Sequence, residues 1–161
     1  MSIDLRPARP DDLDDLVVLE ADGMGADAWG RAALGDELAA RPDSRTVLVV
    51  TRKDQPGLAA YGALRVVDTT ADVQRVVVTR ALRRQGLGRL VLQALLDAAR
   101  ARGCQEALLE VRVGNRAAAA MYDEFGFAEI SRRRGYFAAR RDAAVLRLSL
   151  TPPHLGPNRA S

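Results

Sequence analysis

A short basic loop with two glycines is where residue types and spacing first point to chemistry. Seven residues form it: Arg83, Arg84, Gln85, Gly86, Leu87, Gly88 and Arg89. The glycines allow a tight turn and bring backbone N–H groups close to a ligand, and the arginines add positive charge. A pyrophosphate fits this loop, although a tight turn without a ligand would have the same sequence. The Walker pattern is absent, and Val91 occupies the third glycine position of the dinucleotide-binding fingerprint.

Two predicted elements position this loop. Before it, Val73 and Val76–Val78 have the β-branched richness of a buried strand. After it, apolar residues recur at helical spacing up to Arg102, and Gly103 follows as a typical helix end. The first turn of that helix would add unpaired N–H donors and the positive end of the helix dipole. Within the strand, the consecutive polar residues Gln74 and Arg75 predict a β-bulge.

The pattern Arg83-x-x-Gly86-x-Gly88 between a strand and a helix resembles the acyl-CoA signature of the GNAT N-acetyltransferases. The resemblance implies that the loop amides hold the pyrophosphate of acetyl-CoA and that the preceding strand pairs with the pantetheine arm. It also implies that the bulge splays two parallel strands and opens a slot for the thioester. The cofactor positions that it implies in the strand are Val76, Val77 and Val78, and in the loop they are the seven residues given above.

Acetyl transfer to an amine requires a base, because an α-amino group has a pKa near about 8 and a lysine near about 10. It also requires a donor to the oxyanion, such as a strand N–H, and it gains from an acid at the departing thiolate. Glu110, near the end of an apolar strand, is the candidate base, although a rim glutamate paired with Arg112 would have the same sequence. Tyr122 is the candidate acid or an ordinary half-buried tyrosine. Asn115 could cap the short helix, bind pantetheine, or do both.

Residues 109–137 closely resemble the RimI-type ribosomal-protein alanine N-acetyltransferases of the GNAT family. The resemblance implies that Glu110 is the base, Tyr122 the acid and Asn115 a ligand of acetyl-CoA. It also implies that three residues contact the acceptor: Trp29, Arg134 and Tyr136. The neighbours of Trp29, the residue Phe137 and the residue Arg141 depart from the family pattern, and these positions border the predicted peptide groove.

Composition bounds the remaining possibilities. The chain has 161 residues, which predicts one domain over 1–150 followed by a polar tail, 151–161. No apolar run reaches the roughly 18 residues of a membrane span, and we expect a cytoplasmic protein.

The single cysteine, Cys104, excludes an internal disulfide and a cysteine-rich metal site, and we expect it to be packed. The only histidine, His154, lies in the tail, which argues against a Ser-His-Asp triad. We therefore expect no metal.

Charge is divided unevenly along the chain. Residues 1–43 hold 11 acidic residues against 4 arginines, whereas the remainder is strongly basic and the whole chain has a net charge of +3. An acidic first quarter and a basic remainder suit two different ligands better than one nucleic-acid surface. We therefore expect no direct contact with nucleic acid and regard the arginines 132–134 as a solvated face or groove contacts.

The predicted element order is β-α-α-β-β-β-α-β-α-β-β, a mixed α/β sheet with helices on its faces. It is the acyl-CoA N-acyltransferase fold that the resemblance implies, with splayed central parallel strands. The first helix follows Asp11, a loop spans Ala21–Ala26, and the second helix spans Trp29–Ala40 with Ala33, Leu34 and Leu38 inward. The last two strands are expected at Ala128–Arg133 and Ala143–Leu150.

The sequence thus favours an enzyme that transfers the acetyl group of acetyl-CoA to the N-terminal α-amine of a protein. A ribosomal protein is one acceptor that the resemblance implies. The resemblance implies direct attack of the amine on the thioester. One alternative is a GNAT acetyltransferase acting on a small amine, a polyamine or an antibiotic. Another is a non-catalytic module that binds acyl-CoA. We expect a monomer or homodimer with no membrane partner.

Overall fold

The computed structural model describes residues 2–40, 42–137 and 141–151. Seven strands and four α-helices follow the predicted order. The strands are β1 (Ile3–Pro7), β2 (Arg45–Arg52), β3 (Ala60–Val67), β4 (Thr70–Val78), β5 (Glu106–Arg112), β6 (Ala128–Phe137) and β7 (Arg141–Ser149). The helices are α1 (Leu13–Met24), α2 (Arg31–Ala39), α3 (Leu87–Ala101) and α4 (Arg116–Glu124). Except for Thr151, the predicted tail lies outside the described residues.

One mixed sheet organises the molecule, in the strand order β1-β2-β3-β4-β5-β7-β6. Among the described strands, the central pair β4–β5 is parallel and the other neighbours are antiparallel. The buried residues of α3 and α4 pack on one face of the sheet, which we call the α3 face. Those of α1 and α2 pack on the opposite face, the α1 face. The predicted mixed α/β sheet is therefore confirmed.

A β-bulge interrupts β4 at the predicted place. Arg75 pairs with Ala63 and Val73 pairs with Leu64, so Gln74 has no partner in β3. Side chains alternate between faces along a strand, and an extra residue reverses that alternation. Val73 accordingly packs on the α3 face, whereas Val77 packs on the α1 face. The bulge thus determines which side chains in the second half of β4 point to the α3 face and which point to the α1 face.

The two parallel strands separate at the bulge. Their pairing runs from Thr70 opposite Glu106 to Val73 opposite Leu109 and goes no further, although both strands continue through described residues. Backbone N–H and C=O groups of the later residues are therefore left without a partner on the facing strand. The expected splayed pair is confirmed, and it opens a slot at the centre of the sheet.

Two glycines let helices lie directly against the sheet. A Cβ at Gly62 in β3 would come within 2.4 Å of the Val91 Cγ1 atom and 2.7 Å of the Leu95 Cδ1 atom on α3. A Cβ at Gly23 in α1 would come within 2.4 Å of the Val77 Cγ1 atom on β4. At these two glycines, α3 and α1 therefore pack more closely on the sheet than a side chain would allow.

Some local predictions are wrong. The segment predicted as the loop Ala21–Ala26 instead continues α1 to Met24 and then forms a short 3-10 helix, Gly25–Asp27. The reason is tertiary, because the Asp22 carboxylate accepts hydrogen bonds from the Thr79 hydroxyl (2.9 Å) and the Arg80 N–H (2.8 Å) and fastens this turn to the end of β4. Ala33, predicted inward, is exposed.

Other local predictions are confirmed. Leu34 and Cys104 are buried, as expected. Within 2–40, 42–137 and 141–151, none of the helices has the length and apolarity needed to cross a bilayer.

Candidate active site

A cleft opens where β4 and β5 part. It lies between the end of α1 on one side and α4 on the other. The residues that line it are Gly23, Met24, Asp27, Val73, Gln74, Arg75, Val76, Leu109, Glu110, Val111, Arg112, Asn115, Ala118 and Tyr122. The cleft thus brings together Glu110, Tyr122, Asn115 and Val76, four residues that the sequence predicts to act together.

Glu110 lies on β5, one residue beyond the last pair with β4. Its side chain is 24% exposed, and its Oε1 atom lies 3.1 Å from the Nη1 atom of Arg133 on β6. Arg112, the partner considered from the sequence, does not form this pair. Because the Arg133 side chain is 56% exposed, water screens the ion pair. Glu110 is therefore a carboxylate at the mouth of the cleft that an amine can reach.

Tyr122 is buried on α4. Its ring meets that of Phe127 edge to face, with 5.8 Å between centroids. Burial raises the pKa of Tyr122 to about 12, because the apolar surroundings disfavour a phenolate. The hydroxyl consequently stays protonated at neutral pH and can donate a hydrogen bond to a negatively charged group in the cleft.

Asn115 caps α4. Its Oδ1 atom accepts a hydrogen bond from the Ala118 N–H at 3.2 Å, which confirms the capping role. The side-chain amide N–H groups stay available as donors, since the cap uses only the oxygen. Its predicted contact with acetyl-CoA remains a prediction.

The basic loop (83–89, here the cofactor loop) has the backbone that anion binding requires. Arg84 and Gly86 have φ values of 65° and 84°, both in the left-handed region. Gly86 immediately precedes α3, and a Cβ built there would meet no atom within 4 Å. Because the N-cap residue is a glycine, it has no side chain to occupy the first N–H groups of α3, which a helix N-terminus can offer to an anion.

Most side chains of the cofactor loop already have protein partners. The Arg83 guanidinium donates to the Gly23 carbonyl at 3.0 Å and to the Val78 carbonyl at 3.4 Å. Arg89 pairs with Glu124. Arg84 is exposed and forms no ion pair or side-chain hydrogen bond within the described part of the chain. Arg84 is thus the loop arginine best placed to meet a phosphate, whereas Arg83 holds the loop to α1.

The remaining cofactor residues divide between the two faces. Val76 lines the cleft and, like Val78, packs on the α3 face. Val77 is buried on the α1 face. Gln85 uses its amide oxygen to accept a hydrogen bond from Arg52, and Leu87 is buried at the start of α3. Direct contact of these residues with acetyl-CoA stays a prediction.

The predicted acceptor residues Trp29, Arg134 and Tyr136 are not among the described residues that line the cleft. Trp29 is half-buried just after the 3-10 helix, and Arg134 is exposed on β6. The backbone of Tyr136 lies in β6, while its side chain is outside the described residues. Their contact with an acceptor remains a prediction.

The sequence analysis did not predict a buried charged cluster. Glu20 on α1 is 0% exposed and accepts hydrogen bonds from the Tyr61 hydroxyl and from the Arg75 Nε atom, the latter at 3.1 Å. Burial, together with the Glu20 charge, raises the pKa of Tyr61 above its ordinary value. One signal was available, since Glu20 directly follows the core residue Leu19 on the apolar side of α1.

These groups can together support acyl transfer. The cleft offers a carboxylate, a protonated phenol and strand N–H groups that no neighbouring strand occupies. A glycine-rich helix N-terminus lies beside it. In the part of the chain that the structure describes, no three His, Cys, Asp or Glu side chains are grouped to hold a metal ion.

Comparison with known proteins is consistent with this chemistry. The model of the acetyltransferase (GNAT) family matches residues 12–127. The ribosomal protein bS18-alanine N-acetyltransferase of Escherichia coli is 37% identical over 94 residues, which cover 56% of this chain and 64% of that protein. N-alpha-acetyltransferase 30 of Schizosaccharomyces pombe is 34% identical over 71 residues, covering 44% of this chain and 47% of that protein.

The structural likeness extends further than these sequence matches. A crystal structure of the Escherichia coli ribosomal-protein-alanine N-acetyltransferase superimposes with a TM-score of 0.84 at 26% identity. The superposition covers 96% of this chain and 98% of that one. In sequence, by contrast, the chain matches less than two thirds of the length of the relatives named above.

Proposed function

Because this chain belongs to the acetyltransferase (GNAT) family, we propose that it transfers the acetyl group of acetyl-CoA to the N-terminal α-amine of a protein. A ribosomal protein is the proposed acceptor class, and the cytoplasm is the proposed place of action. The observation that carries the proposal is the cleft between the parted strands, which both Glu110 and Tyr122 line.

Glu110 acts as the base in this proposal. An α-ammonium group with a pKa near about 8 is mostly protonated at neutral pH and cannot attack a thioester. Glu110 attracts that cation and accepts its proton, directly or through water. The free amine then attacks the thioester carbonyl, forming the new C–N bond, and the C–S bond breaks as coenzyme A leaves. Strand N–H groups freed by the parting of β4 and β5 can stabilise the oxyanion.

Tyr122 stabilises the leaving group. A phenol with a pKa of about 12 transfers its proton only partly to a thiolate, whose own pKa is near about 8.5. Its principal contribution is therefore a charge-assisted hydrogen bond to the developing thiolate. In this proposal Tyr122 therefore acts mainly as a hydrogen-bond donor to the thiolate of coenzyme A. Solvent then supplies the proton that converts the thiolate to the thiol.

A protein amine is preferred over a small amine for two reasons. The relatives named above are acetyltransferases of a ribosomal-protein alanine and of protein N-termini. In addition, the acidic residue Asp27 lies in the wall of the cleft opposite Glu110, and negative charge there favours a cationic N-terminus.

The test is an acetylation assay with three sets of acceptors. Peptides copied from ribosomal-protein N-termini, the same peptides with blocked N-termini, and a panel of small amines and polyamines are incubated with acetyl-CoA. Release of free thiol and intact mass are followed. We expect turnover of the free peptides only, and its loss in Glu110→Gln. Faster turnover of small amines would favour the second function, and binding of coenzyme A without turnover would favour the non-catalytic module.

A further inference from the structure

Arg75 connects the central strand to the connection between α1 and α2. Because the bulge reverses the alternation of β4, Arg75 points to the α1 face. Its Nη2 atom donates to the Asp27 carbonyl at 2.7 Å, and its guanidinium carbon lies 4.3 Å from the centre of the Trp29 ring. Its side chain is only 10% exposed. A planar guanidinium can make these contacts together with the Glu20 pair, whereas a lysine ammonium cannot.

Glu20 completes the anchor from the other side. Its Oε2 atom accepts a hydrogen bond from the Trp29 N–H at 3.0 Å, while its Oε1 atom receives Arg75 and Tyr61. Glu20, Trp29, Tyr61 and Arg75 form one set, which we call the lip anchor. It holds residues 25–30, here the acceptor lip, at three points: the Asp27 carbonyl, the Trp29 N–H and the Trp29 ring.

The acceptor lip faces the catalytic carboxylate across the cleft. Arg75 and Asp27 line one wall, while Glu110 on β5 lines the other. The cofactor loop makes no contact with Arg75 among the described side-chain hydrogen bonds and ion pairs. A change at Arg75 would therefore displace the acceptor wall and leave the predicted pyrophosphate site in place.

We propose that Arg75 is a positioning residue that fixes the acceptor lip, so that affinity for the acceptor peptide depends on Arg75 while affinity for acetyl-CoA does not. This inference rests on the proposed function and names the residue that shapes its acceptor side. Arg75 acts through Trp29 and the Asp27 backbone rather than by touching the reacting atoms.

The kinetic test uses Arg75→Lys, the double variant Glu20→Gln/Arg75→Met and the control Arg65→Met. The double variant removes both buried charges together, so neither is left unpaired. Arg65 is an exposed residue of β3. Loss of one charge-assisted hydrogen bond of this kind lowers affinity, here for the acceptor peptide, about tenfold. We expect the KM for the peptide to rise about tenfold in both Arg75 variants, while the KM for acetyl-CoA changes by less than about twofold.

A second measurement follows the lip itself and does not depend on turnover. Hydrogen–deuterium exchange of a peptide covering 25–30 reports the Trp29 N–H, and we expect faster exchange in Arg75→Lys than in Arg65→Met. Equal exchange in the two variants, or a KM for acetyl-CoA that rises together with the KM for the peptide, would overturn the inference. A wild-type chain that acetylates no amine would overturn the proposed function, whereas the exchange experiment would still decide the role of Arg75.

Discussion

The cofactor loop and the acceptor lip are built in different ways. The cofactor loop consists of consecutive residues whose backbone, with left-handed φ values at Arg84 and Gly86, presents N–H groups. The acceptor lip is held by side chains far apart in sequence: Glu20 meets Tyr61 41 positions away and Arg75 55 positions away. One site depends on local conformation and the other on tertiary contacts.

This difference explains why one site is evident from sequence and the other is not. A turn conformation requires glycine at fixed spacing, which leaves a readable pattern. An anchor built from a glutamate, a tyrosine and an arginine leaves no pattern, because each is common and the fold alone brings them together. The bulge in β4 joins the two sites, since it directs Val76 to one face of the sheet and Arg75 to the other.

The largest expected effects concern the glycines at which a helix contacts the sheet. Gly62→Ala inserts a methyl group against Val91 and Leu95, and overpacking of this kind costs about 1–3 kcal/mol. Gly23→Ala meets Val77 as closely, but alanine favours a helix over glycine by about 1 kcal/mol. We therefore expect the free energy of unfolding, measured in urea, to fall more in Gly62→Ala than in Gly23→Ala.

Gly35→Ala in α2 is the matched control for both glycine variants. A Cβ there meets no atom within 4 Å, so the gain in helix propensity should increase the free energy of unfolding by about 1 kcal/mol. If Gly62→Ala were as stable as wild type, the close packing of α3 on β3 would be wrong.

A substitution of Arg52 is the next test. It asks whether the cofactor loop, like the acceptor lip, depends on a side chain that is distant in sequence. Arg52 on β2 is buried, and its Nη1 atom donates to the Gln85 amide oxygen at 2.9 Å. Its guanidinium also donates to Asp54 at 2.7 and 3.1 Å. Removing this charged hydrogen-bond donor to Gln85 should weaken the binding of acetyl-CoA to the cofactor loop about tenfold. We expect Arg52→Met to raise the KM for acetyl-CoA by that factor and to leave the KM for the peptide unchanged.

Steady-state kinetics with each substrate varied in turn measure the effect of Arg52→Met. Arg65→Met serves again as the control for loss of an arginine from the same sheet. A KM for acetyl-CoA equal to that of wild type would mean that the cofactor loop keeps its shape without the Arg52–Gln85 hydrogen bond and depends on local conformation alone.

Several features of the fold and site could be predicted from the sequence. Hydrophobic periodicity and the glycine pattern are local, and they predicted the element order, the bulge at Gln74 and the loop before α3 correctly. The partner of Glu110 was not predictable, because Arg133 reaches it only through the pairing of β5, β7 and β6. The extension of α1 to Met24 was missed for the same reason, since Thr79 and Arg80 hold its last turn.

The smallest expected effect is a dependence of stability on alkaline pH. The pKa of Tyr122 is raised to about 12 in the folded protein, whereas an unfolded tyrosine has a pKa near about 10. The stability that Tyr122 contributes is therefore fully present below pH about 10 and is lost as the pH rises toward about 12. By pH about 11, wild type should lose about 1 kcal/mol relative to Tyr122→Phe.

Urea denaturation of wild type and Tyr122→Phe at several alkaline pH values measures this difference. Tyr61 titrates in both proteins, so the comparison isolates Tyr122. Parallel stability curves would show that the Tyr122 hydroxyl is not shielded from water, and the burial of Tyr122 against Phe127 would then be wrong.

The most direct test of the central claim, that Glu110 deprotonates the amine bound between the two sites, is the pH dependence of kcat/KM for Glu110→Gln. Loss of a general base costs about a hundredfold or more, and rising pH supplies free amine as it approaches the amine pKa of about 8. We predict that Glu110→Gln falls furthest below wild type near pH 6 and recovers as the pH rises toward 9. Glu129→Gln, at an exposed glutamate of β6, should match wild type throughout. A Glu110→Gln enzyme as active as wild type near neutral pH, or a deficit that stays constant with pH, would contradict the account.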